Sequence, residues 1–146
     1  MTTALPLPLT LIRAAVAAMI AFAVSLPAVA QPAAAYKNGA EFYLAYRAAF
    51  EKATSIDELL PWMAKVRRDQ IANAPAQEKK EGFEMIKTFD NYRSVKVVKE
   101  KPNAKGAELQ VEAIGGDAGQ KATGDITLVK EGGAWKIDKE SWKGSM

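Results

Sequence analysis

Residues 124–142 read GDITLVKEGGAWKIDKESW, and this stretch settles the kind of fold the chain builds. Ile126 and Leu128 alternate with Thr127 and Val129, which predicts a strand with two unlike faces. Gly132 and Gly133 follow, and paired glycines supply the positive φ angles of a tight hairpin. The chain then returns as a strand over 134–142, with Trp135 and Ile137 on one face and Lys136 and Asp138 on the other.

Upstream of this hairpin the same two-residue period continues. Ala107, Leu109, Val111 and Ala113 alternate with Glu108, Gln110 and Glu112, the pattern of a half-buried antiparallel strand. Residues 92–100 form another strand, with Val95 and Val97 on one face, and 101–106 and 115–119 are turns. Before residue 90 the period changes to that of helices. Asn38-x-x-Glu41 is a capping-box variant opening a first helix, whose face carries Phe42, Ala45, Tyr46, Ala49 and Ala53. Ser55-x-x-Glu58 opens a second, which Pro61 kinks or restarts before it runs to about residue 72 with Leu59, Met63, Val66 and Gln70 along one side. A third helix follows Pro75, with an expected buried stripe of Gly82, Phe83, Ile86 and Phe89 beside Met85. Helices followed by hairpin-linked strands predict an α+β fold, three helices on a four-stranded antiparallel sheet.

The N-terminus points to export. Residues 1–12 carry no acid, Arg13 is the only charge before Lys37, and residues 14–24 (AAVAAMIAFAV) are wholly apolar. Pro27 and the small residues Ala28 and Ala30 complete a secretory signal, with cleavage expected between Ala30 and Gln31. The apolar run is too short for a membrane-spanning helix, which needs about 20 apolar residues, and no cysteine is present for lipid attachment. The organisation is therefore a signal peptide over 1–30, a leader over 31–37 and one α+β domain over 38–146. The expected location is the periplasm, or else the extracellular space.

Composition excludes much chemistry. The chain has no His and no Cys, which removes the usual neutral-pH base, thiol nucleophiles, ordinary zinc ligands and disulfides. Its formal charge of +3 falls by one when Arg13 leaves with the signal, too weak a field to point to nucleic acid. Gly115, Gly116 and Gly119 form no phosphate loop, because no helix follows them. No cofactor or metal is expected.

The 124–142 stretch, with W-K-I-D and a closing Trp142, resembles the end of small exported domains of the nuclear transport factor 2-like superfamily, and the segment SIDELLPW over 55–62 is similar to uncharacterised bacterial members. The resemblance implies a sheet curled into a cone with a pocket at its mouth. It also implies a spread of roles, from isomerases and cyclases to binding and dimerisation domains. The chain lacks the strand pair those proteins place between the second and third helices, so a smaller sheet and a shallower pocket are expected.

The residues themselves offer few chemical groups. Asp125 and Glu112 are carboxylates on strands, both out of phase with the apolar face and so expected in water. Glu100, Glu131, Asp138 and Glu140 lie among lysines and read as a solvated sheet face. Lys65, Arg67, Arg68, Lys79 and Lys80 form the densest basic region, the exposed side of two helices or a docking face for an anionic partner. Tyr46, Trp62 and Trp135 join an apolar ring face to a hydrogen-bond donor and are the expected lining of a pocket. The function these features favour is a non-catalytic binding or interaction module of the cell envelope, taking a small amphipathic ligand or an envelope protein. Alternatives are an isomerase- or cyclase-like enzyme using one buried carboxylate with a tyrosine, and a homodimer formed through the open sheet face.

Overall fold

A computed structural model describes residues 36–115 and 119–144. The signal segment, Ala30 and Gln31, and the leader as far as residue 35 lie outside the described residues, as does part of the 115–119 turn. The described elements are α1 (Gly39–Lys52), a 3₁₀ helix (Ile56–Trp62), α2 (Lys65–Ala72), α3 (Ala76–Phe89), β1 (Tyr92–Pro102), β2 (Gly106–Gly115), β3 (Gln120–Glu131) and β4 (Ala134–Gly144). The strands form one antiparallel meander in the order β1-β2-β3-β4, so the α+β expectation holds. No helix among the described residues is long and apolar enough to cross a membrane.

α1 starts where its cap was expected. Asn38 Oδ1 accepts from the Glu41 amide at 2.8 Å, while the Glu41 carboxylate turns back to the Lys37 amide at 3.0 Å. Phe42, Tyr43, Tyr46, Arg47 and Phe50 are its buried face, set against the inner face of the sheet. Ala107, Leu109, Val111, Ile126, Leu128 and Ile137 complete the core from the strands. Gly132 and Gly133 have φ of 57° and 81°, as the hairpin requires.

At Pro61 the chain takes the restart rather than the kink. The short first helix is a 3₁₀ helix that contains Pro61, the chain extends through Met63 and Ala64, and α2 restarts at Lys65 and runs to Ala72. Met63 bridges Ile137 in parallel, and the Ala64 amide donates to the Ile137 carbonyl at 2.8 Å. Backbone groups freed at the proline therefore find partners on the edge of β4. Because the helical phase is lost there, Leu59 and Met63 are buried but Val66 is 71 % exposed.

The expected stripe on α3 is also corrected. Only Phe83 is buried, whereas Met85, Phe89 and Ile86 are 59 %, 71 % and 39 % exposed. α3 is held at its edge. Phe83 packs edge-on against Phe50 with ring centroids 6.4 Å apart. Lys87 Nζ donates to the terminal carbonyls of α1, Phe50 O at 2.8 Å and Glu51 O at 3.0 Å. The helix thus caps α1 with a lysine and turns its remaining apolar residues outward.

Three β-bulges interrupt the strand pairing, at Arg93, Val98 and Asp138, and the last two set the face turned to the helices. In β1, Val97 pairs with Val111 and Lys99 with Gln110, so Val98 is an extra residue. In β4, Lys139 pairs with Thr127 and Ile137 with Leu128, so Asp138 is extra. Each insertion reverses the side-chain alternation beyond it. The residues swung inward are Glu100 in β1, and Glu140 with Trp142 in β4.

Candidate functional site

The Val98 and Asp138 bulges each deliver a carboxylate to α1. Glu100 accepts from the Gly39 amide at 2.9 Å and the Ala40 amide at 3.2 Å, placing a negative charge on the helix N-terminus. One turn further along, Glu140 meets the helix side: Tyr43 Oη donates to Oε1 at 3.0 Å and Tyr46 Oη to Oε2 at 3.3 Å. Arg67 of α2 lies 3.7 Å from Oε2, and the Glu140 side chain is only 10 % exposed. Burial pushes the Glu140 carboxyl above its ordinary pKa, against the opposing pull of Arg67 and the Tyr43 hydrogen bond. Burial and the Glu140 charge likewise raise both phenols, keeping them protonated as donors.

The reading of Glu100, Glu131, Asp138 and Glu140 as a solvated face is therefore corrected for Glu100 and Glu140. Glu131 accepts from the Lys65 amide at 2.8 Å in an exposed contact that caps α2, and Asp138 is an exposed bulge residue. The basic region is also largely paired. Lys79 bonds Asp57 at 2.9 Å, Lys65 pairs with Asp69, and Arg67 pairs with Glu140. Asp125 and Glu112 are exposed, as their phase required, and Asp125 lies 3.7 Å from Lys143.

A second buried ion pair lies nearby. Arg47, 4 % exposed, makes a two-point contact with Asp90 at 2.6 and 2.8 Å. Burial disfavours its charge, but the hydrogen bonds and charge of Asp90 outweigh this and raise its pKa further. The guanidinium sits 4.9 Å from the Phe50 ring centre and 5.9 Å from those of Tyr92 and Trp142.

Above this pair, at the end of the sheet, lies an open cavity of about 410 Å³. Its walls include Phe89, Tyr92 and Trp142, with Gly115, Ala122 and Gly144 beside them. Tyr92 and Trp142 are tilted against one another with ring centroids 4.5 Å apart. Glycines make room for both rings. A Cβ on Gly115 would come within 2.6 Å of Tyr92 Cδ1, and one on Gly124 within 2.9 Å of Trp142 Cε3. The indole Nε1 of Trp142 is buried and has no hydrogen-bond partner among the described residues.

The expected lining residues Tyr46, Trp62 and Trp135 sit elsewhere. Tyr46 and Trp62 come together in the core, ring centroids 6.0 Å apart, with Phe42 also against Trp62 at 5.6 Å. Trp135 is half-buried beside the β3–β4 hairpin, where Lys130 Nζ lies 4.6 Å over its ring. Glu140, Tyr43 and Tyr46 do not line this cavity. A signal for the missed groups does exist in the sequence: Trp135 and Ile137 are odd-numbered and Trp142 is even, so a bulge must fall between them if all three face inward.

Comparison with family models, with curated proteins and with solved structures finds no match to this chain.

Proposed function

We propose that this protein is an exported, non-catalytic binding module of the cell envelope, and that its ligand site is the aromatic-walled cavity at the end of the sheet. The observation that carries this reading is the open cavity of about 410 Å³ walled by the rings of Phe89, Tyr92 and Trp142. Concave clefts of this size with aromatic walls and a few polar groups are the usual ligand sites of small domains. The signal-like N-terminus supports export, with the periplasm as the destination. The bent four-stranded sheet is compatible with a small, open version of the nuclear transport factor 2-like cone, and that assignment belongs to the same proposal.

The test is native mass spectrometry of the protein purified from its own compartment. A bound small molecule, lost from the Trp142→Ala protein, is expected. Bare protein under gentle ionisation, with and without the substitution, would overturn the reading.

The enzyme alternative rests on Glu140, a buried carboxylate with raised proton affinity beside two tyrosines. Both of its oxygens are engaged by those phenols, which favours a clasp joining α1, α2 and β4 over a base facing a substrate. A dimer through the open sheet face has less support. That face places Lys96 opposite Glu112 and Lys101 opposite Glu108, paired charges suited to water. Binding of an envelope protein has a more specific basis in Met85 and Phe89, one helical turn apart on the outer side of α3. Crosslinking in the envelope with a photoreactive group at Met85 distinguishes that partner from a small ligand.

A further inference from the structure

We propose that the outer face of α3 docks a basic amphipathic helix of a partner protein, lying antiparallel to it, apolar in its first half and carrying Lys or Arg in its last turns. This goes beyond the cavity reading and does not depend on it. Successive turns of α3 bring Glu78, then Glu81 with Gly82, then Met85 and Phe89 into one line. Met85 and Phe89 are 59 % and 71 % exposed, and both carboxylates are exposed. Gly82 is a second, independent observation. A glycine inside a helix costs stability relative to alanine. Apart from the helix itself, nothing among the described residues lies within 4 Å of the place its Cβ would take. No contact inside the domain therefore calls for the missing side chain. A helix laid across this turn does, because the glycine lets its backbone come close.

Charge selects the occupant. The line is acidic in its first half and apolar in its second, and the lysines of α3 do not offset it. Lys79 is turned to Asp57 and Lys87 to the carbonyls ending α1, while Lys80 lies off the line, one turn before Glu84. A second copy of the chain fits poorly in either direction. Parallel self-pairing sets carboxylate on carboxylate, and antiparallel self-pairing sets Phe89 on Glu78. An anionic bilayer is repelled by the same two carboxylates. The complementary element places apolar residues over Met85 and Phe89 and cations over Glu78 and Glu81. In an antiparallel helix those cations fall in the last turns, where they also meet the negative end of its own dipole.

The probe is a synthetic alanine-based helical peptide with leucines along one face of its first half and lysines along the same face of its second. It is titrated into the purified protein by calorimetry, while the Gly82 amide and Met85 methyl resonances are followed by nuclear magnetic resonance. Saturable binding that shifts both resonances is expected. Gly82→Gln should bind the peptide at least about tenfold more weakly yet melt at a higher temperature, because the new side chain favours the helix and meets no neighbour. Loss of binding with a gain in stability separates docking from a fold defect. Glu78→Lys combined with Glu81→Lys, both at exposed positions, should weaken binding by at least about tenfold. So should replacing the lysines of the peptide by glutamates, or exchanging its leucine and lysine halves. Undiminished binding of the glutamate peptide, or by the charge-reversed protein, overturns the basic partner. Undiminished binding of the exchanged peptide overturns the antiparallel direction, and undiminished binding by Gly82→Gln overturns the close approach at that turn. A lysine peptide that fails to bind overturns the proposal as a whole. A dimer in analytical ultracentrifugation that Met85→Glu dissociates overturns it in favour of a second copy. Retention on phosphatidylcholine vesicles that Met85→Glu abolishes overturns it in favour of a lipid surface. Glu78, Glu81, Gly82 and Met85 do not line the sheet-end cavity, so none of these results bears on the ligand reading.

Discussion

Ile137 and Glu140 both face the helices from β4, although three positions apart they would stand on opposite faces of a regular strand. Asp138 is the extra residue that brings them into phase. Deleting Asp138 restores strict alternation and turns Glu140 and Trp142 outward, so the deletion protein should lose its cooperative thermal transition. Asp138→Ala keeps the residue count at an exposed position and should change stability by no more than about 0.5 kcal/mol. Near-UV circular dichroism like the wild type's in the deletion protein would sink this account.

The Glu140 carboxyl holds its proton more tightly in the folded chain than in the unfolded one, because it is buried. The native state therefore binds more protons than the unfolded state between the two pKa values, and this group's contribution to stability is present below that window and lost as pH rises through it. The melting temperature of the wild type should fall relative to that of Glu140→Gln as pH is raised from about 5 to about 8. Parallel pH profiles for the two proteins would show that Glu140 is not the titrating group.

Tyr43→Phe removes the donor 3.0 Å from Glu140 Oε1 without changing the packed ring. A hydrogen bond to a charged group is worth about 1.5–3 kcal/mol, and a loss of this order is expected by chemical denaturation. The longer Tyr46 contact, 3.3 Å, should be worth less. A larger loss for Tyr46→Phe would reverse the assigned order.

Glu100 caps α1 from a distant strand, so Glu100→Ala should destabilise the protein by about 1 kcal/mol, the usual worth of a helix cap. The amide protons of Gly39 and Ala40 should lose protection from exchange while those in the middle of α1 keep theirs. Unchanged protection at these two amides would rule the cap out.

Gly124 lies beneath Trp142, and an added methyl would come within 2.8 Å of Val111 Cγ2 and 2.9 Å of Trp142 Cε3. Gly124→Ala should therefore cost about 1–3 kcal/mol, the usual penalty for overpacking. The indole should also be displaced, shifting its fluorescence. A neutral substitution would mean that the ring pair has freedom to move aside.

The elements were legible because each depends on residues close in the chain. Alternation over 107–113 and the glycine pair at 132–133 define the strands and their hairpin, and Asn38 with Glu41 defines the start of α1. The Pro61 region was harder to place, since its freed backbone groups are satisfied by Ile137, far along the chain. The stripe of α3 stays largely uncovered: periodicity shows that a helix has an apolar face but not that anything covers it.

What the sequence determined by itself is thus the α+β class, the four-strand meander and the exclusion of histidine and cysteine chemistry. Local propensity and side-chain period are properties of neighbouring residues, and they need no tertiary contact to be read. Only the tertiary structure decided which carboxylates leave water and which rings meet at a cavity. The reason is the bulge: one inserted residue at Val98 or Asp138 changes the local length of the strand very little, yet it reverses which face every later side chain takes. Glu100, Glu140 and Trp142 all lie beyond such a residue, so their partners on α1 and around the cavity follow from pairing between strands and not from the order of residues along one.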